Sequence, residues 1–129
     1  MEAGYKNFRG KVVTDGDRLE ILQTARANQE KDRPPYSMCV CLINAIMEWS
    51  LTNLTPSVRM QIDGIPLTEL FYLFPEFKMM KPRHSHTTLF WWGRDDKQVR
   101  LDNFDKMIDF VKNRINEKNS KNKMARGKS

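Results

Sequence analysis

Residues 87–101 read TTLFWWGRDDKQVRL, and the class of the fold turns on this stretch. Thr87–Trp92 is rich in β-forming residues, Gly93–Lys97 has turn composition, and Gln98–Leu101 alternates polar with apolar. Together they spell a β-hairpin closed by a five-residue loop. Leu89 and Trp91 fall on one face of the first strand and Phe90 and Trp92 on the other, so that strand is expected to be buried on both sides. The second strand keeps one wet face, carrying Gln98 and Arg100. A further short strand, Lys11–Thr14, with β-branched Val12, Val13 and Thr14, is available to join the hairpin.

Outward from this stretch the pattern is helical. Downstream, Asp102 reads as an N-cap with Asp105 at the capping-box position, and Phe104, Met107, Ile108, Val111 and Ile115 make an amphipathic stripe. Upstream, Pro75–His86 (PEFKMMKPRHSH) has neither helical nor strand period and reads as a long loop bounded by prolines. Before it, Pro66 opens LTELFYLF, with Leu67, Leu70, Phe71 and Phe74 on one side. Tyr72 and Leu73 fall off that stripe, so this helix is either fully buried or turned in part toward a partner. Thr55 and Pro56 begin a short helix that Asp63–Gly64 stops.

The central helix follows Pro34–Pro35, capped by Ser37 and ending near Asn53. Cys39, Leu42, Ile43, Ile46 and Trp49 recur at helical spacing, and Met38, Cys41, Ala45 and Met47 widen that face. A first helix opens at Asp17, with Glu20 completing a capping box and Leu19, Leu22 and Ala25 along one side. The segment EKDRPP, 30–35, is too charged and proline-rich to continue it and reads as a hinge. The expected fold is therefore α+β: about five helices around a small antiparallel hairpin, with a third strand from the N-terminal region. One domain should cover 1–116, followed by a basic, disordered tail over 117–129.

The chain has 129 residues, 40% of them apolar and thirteen aromatic, enough for one real core and too much for wholesale disorder. No run approaches about 18 apolar residues without a charge, so a spanning helix and membrane attachment by that means are not expected. MEAGYKNFRG carries no apolar signal-peptide core. Cys39 and Cys41, one residue apart, cannot staple a useful loop, which fits a reducing, cytoplasmic setting.

Charge is unevenly placed. Residues 1–60 carry a balance of +1 and residues 61–110 a balance of −1. Residues 111–129 hold Lys112, Arg114, Lys118, Lys121, Lys123, Arg126 and Lys128 against Glu117 alone, a balance of +6. The net charge of +6 thus belongs to the last nineteen residues. Such a block attracts polyanions, nucleic acid or an acidic protein surface, or else it is only a solvated end.

A second binding constellation lies between Phe71 and Trp92, which hold seven of the thirteen aromatics. Lys78, Lys81, Arg83, His84 and His86 thread through them, and Phe77, Met79 and Met80 are adaptable apolar anchors beside Tyr72 and Leu73. Aromatics beside cations suit single-stranded nucleic acid and equally suit a protein hot spot; otherwise they are simply core. The preferred reading is a protein-docking surface over residues 66–92.

Chemistry offers one competitor. A cysteine at the start of a helix, a histidine entering a later strand and an acid after the next strand give the order Cys39 or Cys41, His84 or His86, Asp102. That order resembles the papain-like cysteine peptidases and amidases, and implies a thiol nucleophile with a histidine base. The chain departs from that pattern in having no Gln just upstream and no Gly beside the cysteine. Cys39 also shares its stripe with Leu42, Ile43 and Ile46, as a core cysteine would. Cys39, Cys41, His84 and His86 have the wrong spacing for a structural zinc, because Cys-x-Cys on a helix sends its sulfurs about 200° apart. Asp95, Asp96, Asp102, Asp105 and Asp109 are explained by a turn and a helix start without a cation. No phosphate-cradling glycine loop, G-x-S-x-G or H-E-x-x-H occurs. The expectation is a non-catalytic binding or assembly protein without cofactor or metal.

Overall fold

Thr14 ends a strand and begins a helix with no loop between them, and this junction organises the N-terminal third of the molecule. The structure, a computed structural model, describes residues 5–31, 38–57, 65–79 and 97–127. Strands β1 (Tyr5–Phe8) and β2 (Lys11–Thr14) pair antiparallel, with Tyr5 opposite Thr14 and Phe8 opposite Lys11. Their two-residue turn, Arg9–Gly10, has positive φ at both positions (51° and 84°), the left-handed geometry that matches the twist of a hairpin. The Gly10 amide donates to Asn7 Oδ1 at 3.2 Å. Arg9 is held there by Glu69, 2.6 Å from its Nη2, and by the Phe8 ring, 5.6 Å from its guanidinium carbon. Val13 and Phe8 face the core, and Val12 faces solvent.

Helix α1 (Asp15–Glu30) starts from a reciprocal capping box. The Asp17 amide donates to Thr14 Oγ1 and the Thr14 amide to Asp17 Oδ2, both at 3.1 Å. The box expected at Asp17 and Glu20 is therefore one turn too late: Asp17 is its third residue, not its cap. Asp15, Arg18, Ile21, Leu22, Ala25 and Gln29 are the buried side of α1. Helix α2 (Met38–Asn53) has the bounds its periodicity demands and buries Met38, Cys39, Cys41, Leu42, Ala45, Ile46 and Trp49. Residues 56–57 are helical, and the remainder of the short helix expected after Thr55 lies outside the described residues.

Helix α3 (Leu67–Leu73) gives way at Phe74, whose amide still donates to the Leu70 carbonyl at 2.9 Å, and α4 (Pro75–Met79) begins at once. The expectation of a loop from Pro75 is thus corrected over its first five residues. Proline at a first helical position lacks only an amide that would be unpaired there anyway.

Helix α5 (Lys97–Gly127) overturns the expected second strand. Gln98–Leu101 is helical, and residues 87–96, the rest of that expected hairpin, lie outside the described residues. Arg100 is buried rather than wet and falls in line with Phe104, Met107 and Val111 at helical spacing. Asp102 is not a cap: it sits inside the helix and accepts from Gln98 Nε2 at 2.9 Å. Asp105, the expected partner in that box, pairs with Arg26 Nε at 2.5 Å.

Helices α2 and α5 both pack on α1, with β2 at its start and α4 against α5. Arg26 meets Asp105 and Arg114 approaches Asp15 at 3.6 Å, so α5 runs antiparallel to α1. The core fills the space among these helices, and Phe104, Met107, Phe74 and Leu42 are all fully buried in it. Each such side chain contributes about 1.5–3 kcal/mol by leaving water. The architecture is α+β, helices around one small antiparallel sheet, with that sheet at the N-terminus. No helix among the described residues is long and apolar enough to cross a membrane.

Candidate nucleic-acid interface

The apolar stripe of α5 stops well before the helix does. Through Glu117, Val111 is fully buried and Ile115 half-buried, while Lys112, Asn113, Arg114, Asn116 and Glu117 are exposed. The backbone stays helical to Gly127, past Glu117, where the sequence places the start of the tail. From Val111 to Gly127 a helix rises about 24 Å. Because Arg114 lies beside Asp15, the first residue of α1, the helix continues beyond the end of its neighbour. Of the polyanion candidates, Lys112 and Arg114 are exposed, and Lys118, Lys121, Lys123 and Arg126 stand on helical backbone. Lys128 lies outside the described residues. Arg114 has a structural partner in Asp15.

The docking candidates divide differently. Tyr72 is 51% exposed, with Lys6 Nζ 5.0 Å from its ring centre, and remains a surface aromatic. Leu73 and Phe77 do not: they are 1% and 0% exposed and belong to the core. Both are corrections to the docking surface, and the reason is spacing: Leu70, Leu73, Phe74 and Phe77 recur at i, i+3, i+4 and i+7 and are all buried. Phe77 points inward, its ring centre 5.8 Å from that of Phe71. The Leu73 carbonyl is occupied as well, accepting from Arg18 Nε at 3.0 Å. The side chains of Lys78 and Met79, and all of Met80, Lys81, Arg83, His84 and His86, lie outside the described residues.

Arg18 is the electrostatic centre of the body and was not singled out by the sequence. Its guanidinium donates to Asp15 Oδ1 at 2.9 Å, to Glu76 Oε1 and to the Leu73 carbonyl, and lies 5.5 Å from the Phe74 ring centre. A buried cation this fully paired fastens α4 to α1. Its only sequence signal is a basic residue on the apolar side of α1, in line with Leu22 and Ala25.

Both cysteines are free and buried. Cys39 is fully buried on α2, and burial alone pushes its thiol up to about 12. Burial also raises Cys41, and the positive charge of Arg100 offsets part of that rise. A catalytic thiol needs the reverse shift, toward thiolate at neutral pH. His84 and His86 lie outside the described residues, so no thiol–imidazole pair is described. Among the described residues no three of His, Cys, Asp and Glu gather as a metal site.

A shallow cleft of about 290 Å³ between α1 and α2 is lined by Glu20, Ile21, Thr24, Ala45, Glu48 and Trp49, among others. It offers two exposed carboxylates, Glu20 and Glu48, with the hydroxyls of Thr24 and Thr52 beside them. Other exposed apolar side chains are Leu51 on α2 and Phe110 on α5, the latter outside the stripe from Phe104 to Ile115. Comparison of the chain with protein-family models, with curated proteins and with solved structures finds no match.

Proposed function

We propose that this chain is a non-catalytic, intracellular binding and assembly protein whose basic C-terminal helix engages nucleic acid or another polyanion. One observation carries the reading: the backbone of α5 runs on to Gly127, past the apolar stripe that the sequence ends at Ile115, and the segment beyond Val111 holds a balance of +6 in a chain whose remainder is neutral. Helical backbone spaces these cations along an axis at 1.5 Å per residue, where phosphates can meet several at once. The body supplies the second half of the function, docking on a protein partner through the surface around Tyr72, with Lys6 beside it. Against the competing cysteine-hydrolase reading stands the burial of both Cys39 and Cys41, which holds their thiols in the protonated form.

The test is a salt series. Full-length protein and a chain ending at Ile115 are titrated with a generic oligonucleotide. The cut removes Lys118, Lys121, Lys123, Arg126 and Lys128 with Glu117, and no side chain buried among the described residues. Full-length protein should bind with a steep log–log salt dependence, and each lost phosphate contact should lower the slope by about 0.7–0.9. Equal affinities and slopes for the two chains would remove the nucleic-acid half of the proposal.

A further inference from the structure

Resting on the nucleic-acid reading above, we infer that the target of α5 is the major groove of duplex DNA, and that Asn116 and Asn119 read adenine there. The argument starts from register. On a continuous helix to Gly127, Lys112, Asn116, Asn119, Lys123 and Arg126 occur at i, i+4, i+7, i+11 and i+14. At 100° per residue these five positions share one face. Arg114, Lys118 and Lys121, again at i, i+4 and i+7, occupy a face about 180° away. Glu117, the one acid, stands on neither line.

Chemistry then narrows the partner. Single strands are held by stacking bases on aromatic rings, and no Phe, Tyr or Trp occurs after Phe110. The deep groove of duplex RNA is too narrow for side chains to read. The major groove of B-DNA, about 12 Å wide, admits a helix about 10–12 Å across. With the asparagine line turned to the base edges, Lys112, Lys123 and Arg126 lie a turn or two to either side on the same line, where a straight helix leaves the curving groove and meets its phosphates, while the opposite face, on which Arg114 pairs with Asp15, stays clear of the DNA. An asparagine side chain has the donor and acceptor that match N7 and N6 of adenine together, whereas a lysine neutralises phosphate without reading sequence. Two asparagines one turn apart, with lysines beyond them on the same line, thus divide reading from anchoring.

The full chain is titrated across one common salt series with four probes of equal length: A·T-rich duplex DNA, G·C-rich duplex DNA, single-stranded DNA and duplex RNA. The A·T-rich duplex is expected to bind at least about tenfold tighter than each of the others. The double variant N116A/N119A should bind both DNA duplexes equally and keep the wild-type salt slope, because Ala preserves the helix and the cations remain. Equal affinity of the wild type for all four probes, or a preference that survives in the double variant, overturns groove reading while leaving polyanion binding in place. Failure to bind any probe removes both.

Discussion

Glu76→Ala is the most informative perturbation of the body, because it strips one partner from a cation that cannot reach water. Arg18 is 1% exposed and Glu76 5%, and the two meet across 58 positions of sequence. Removing one member of a buried ion pair costs about 3–5 kcal/mol when nothing else compensates the survivor. Here Asp15 and the Leu73 carbonyl still accept from Arg18, so the expected loss falls to about 2–4 kcal/mol. Glu76→Gln keeps an acceptor oxygen but no charge, and about half that loss is expected. Urea unfolding followed by circular dichroism measures both. With a slope of about 1–3 kcal/mol per molar, the midpoint for Glu76→Ala should fall by about 1–2 M. A cycle with Arg18→Met should return a coupling of at least about 1 kcal/mol. A Glu76→Ala midpoint within error of wild type would show that this pair does not fasten α4, and the account of how Phe77 is held in the core would fail with it.

Three further outcomes follow from the same packing. Phe77→Ala should cost about 3–5 kcal/mol in the same unfolding assay, the cost of emptying a packed aromatic site; a near-neutral result would return Phe77 to the surface. Gly10→Ala should destabilise by about 1–2 kcal/mol although nothing lies within 4 Å of the added carbon, because φ of 84° is unfavourable for any L side chain; an unchanged melting temperature would refute the turn geometry. Cys39 binds its proton more tightly when folded, so its contribution is complete below the unfolded thiol pKa and is lost as pH rises from about 9 toward about 12. Stability measured from pH 8 to 11 should fall less steeply in Cys39→Ala than in wild type, and parallel curves would contradict the burial of that thiol.

How far the sequence could be read depended on how much chain each feature used. Helix α2 was legible because sixteen residues are enough for a period to declare itself, and its expected bounds match. The stripe from Phe104 to Ile115 was legible for the same reason. Four residues are not enough: QVRL alternates as a strand would, and only the burial of Arg100 reveals the helical period underneath. The true hairpin was half hidden because Lys6 and Asn7 are poor strand formers, yet Arg9–Gly10 between Phe8 and Lys11 is a two-residue turn with glycine where positive φ is needed. Leu73 and Phe77 were misplaced because a loop was expected from Pro75, which hides that Leu70, Leu73, Phe74 and Phe77 recur at i, i+3, i+4 and i+7 as one buried line. The basic segment was readable by counting alone, since charge per residue needs no tertiary information. Arg18 was not, because the carboxylates that tolerate its burial lie near in one case and 58 positions away in the other.

The antiparallel pairing of α1 with α5 has a consequence for how the chain is made. Arg26 and Asp105 are 79 positions apart, and the side of α1 that carries Ile21, Leu22 and Ala25 has its final neighbour only when the last helix exists. During synthesis the hairpin and α1 can form early from local contacts, but they must wait with an apolar surface uncovered. A nascent or proteolysed chain ending before Phe104 would therefore be sticky rather than merely shorter, a natural client for chaperones. The fold is completed from its far end, by the same helix whose last turns carry the charge.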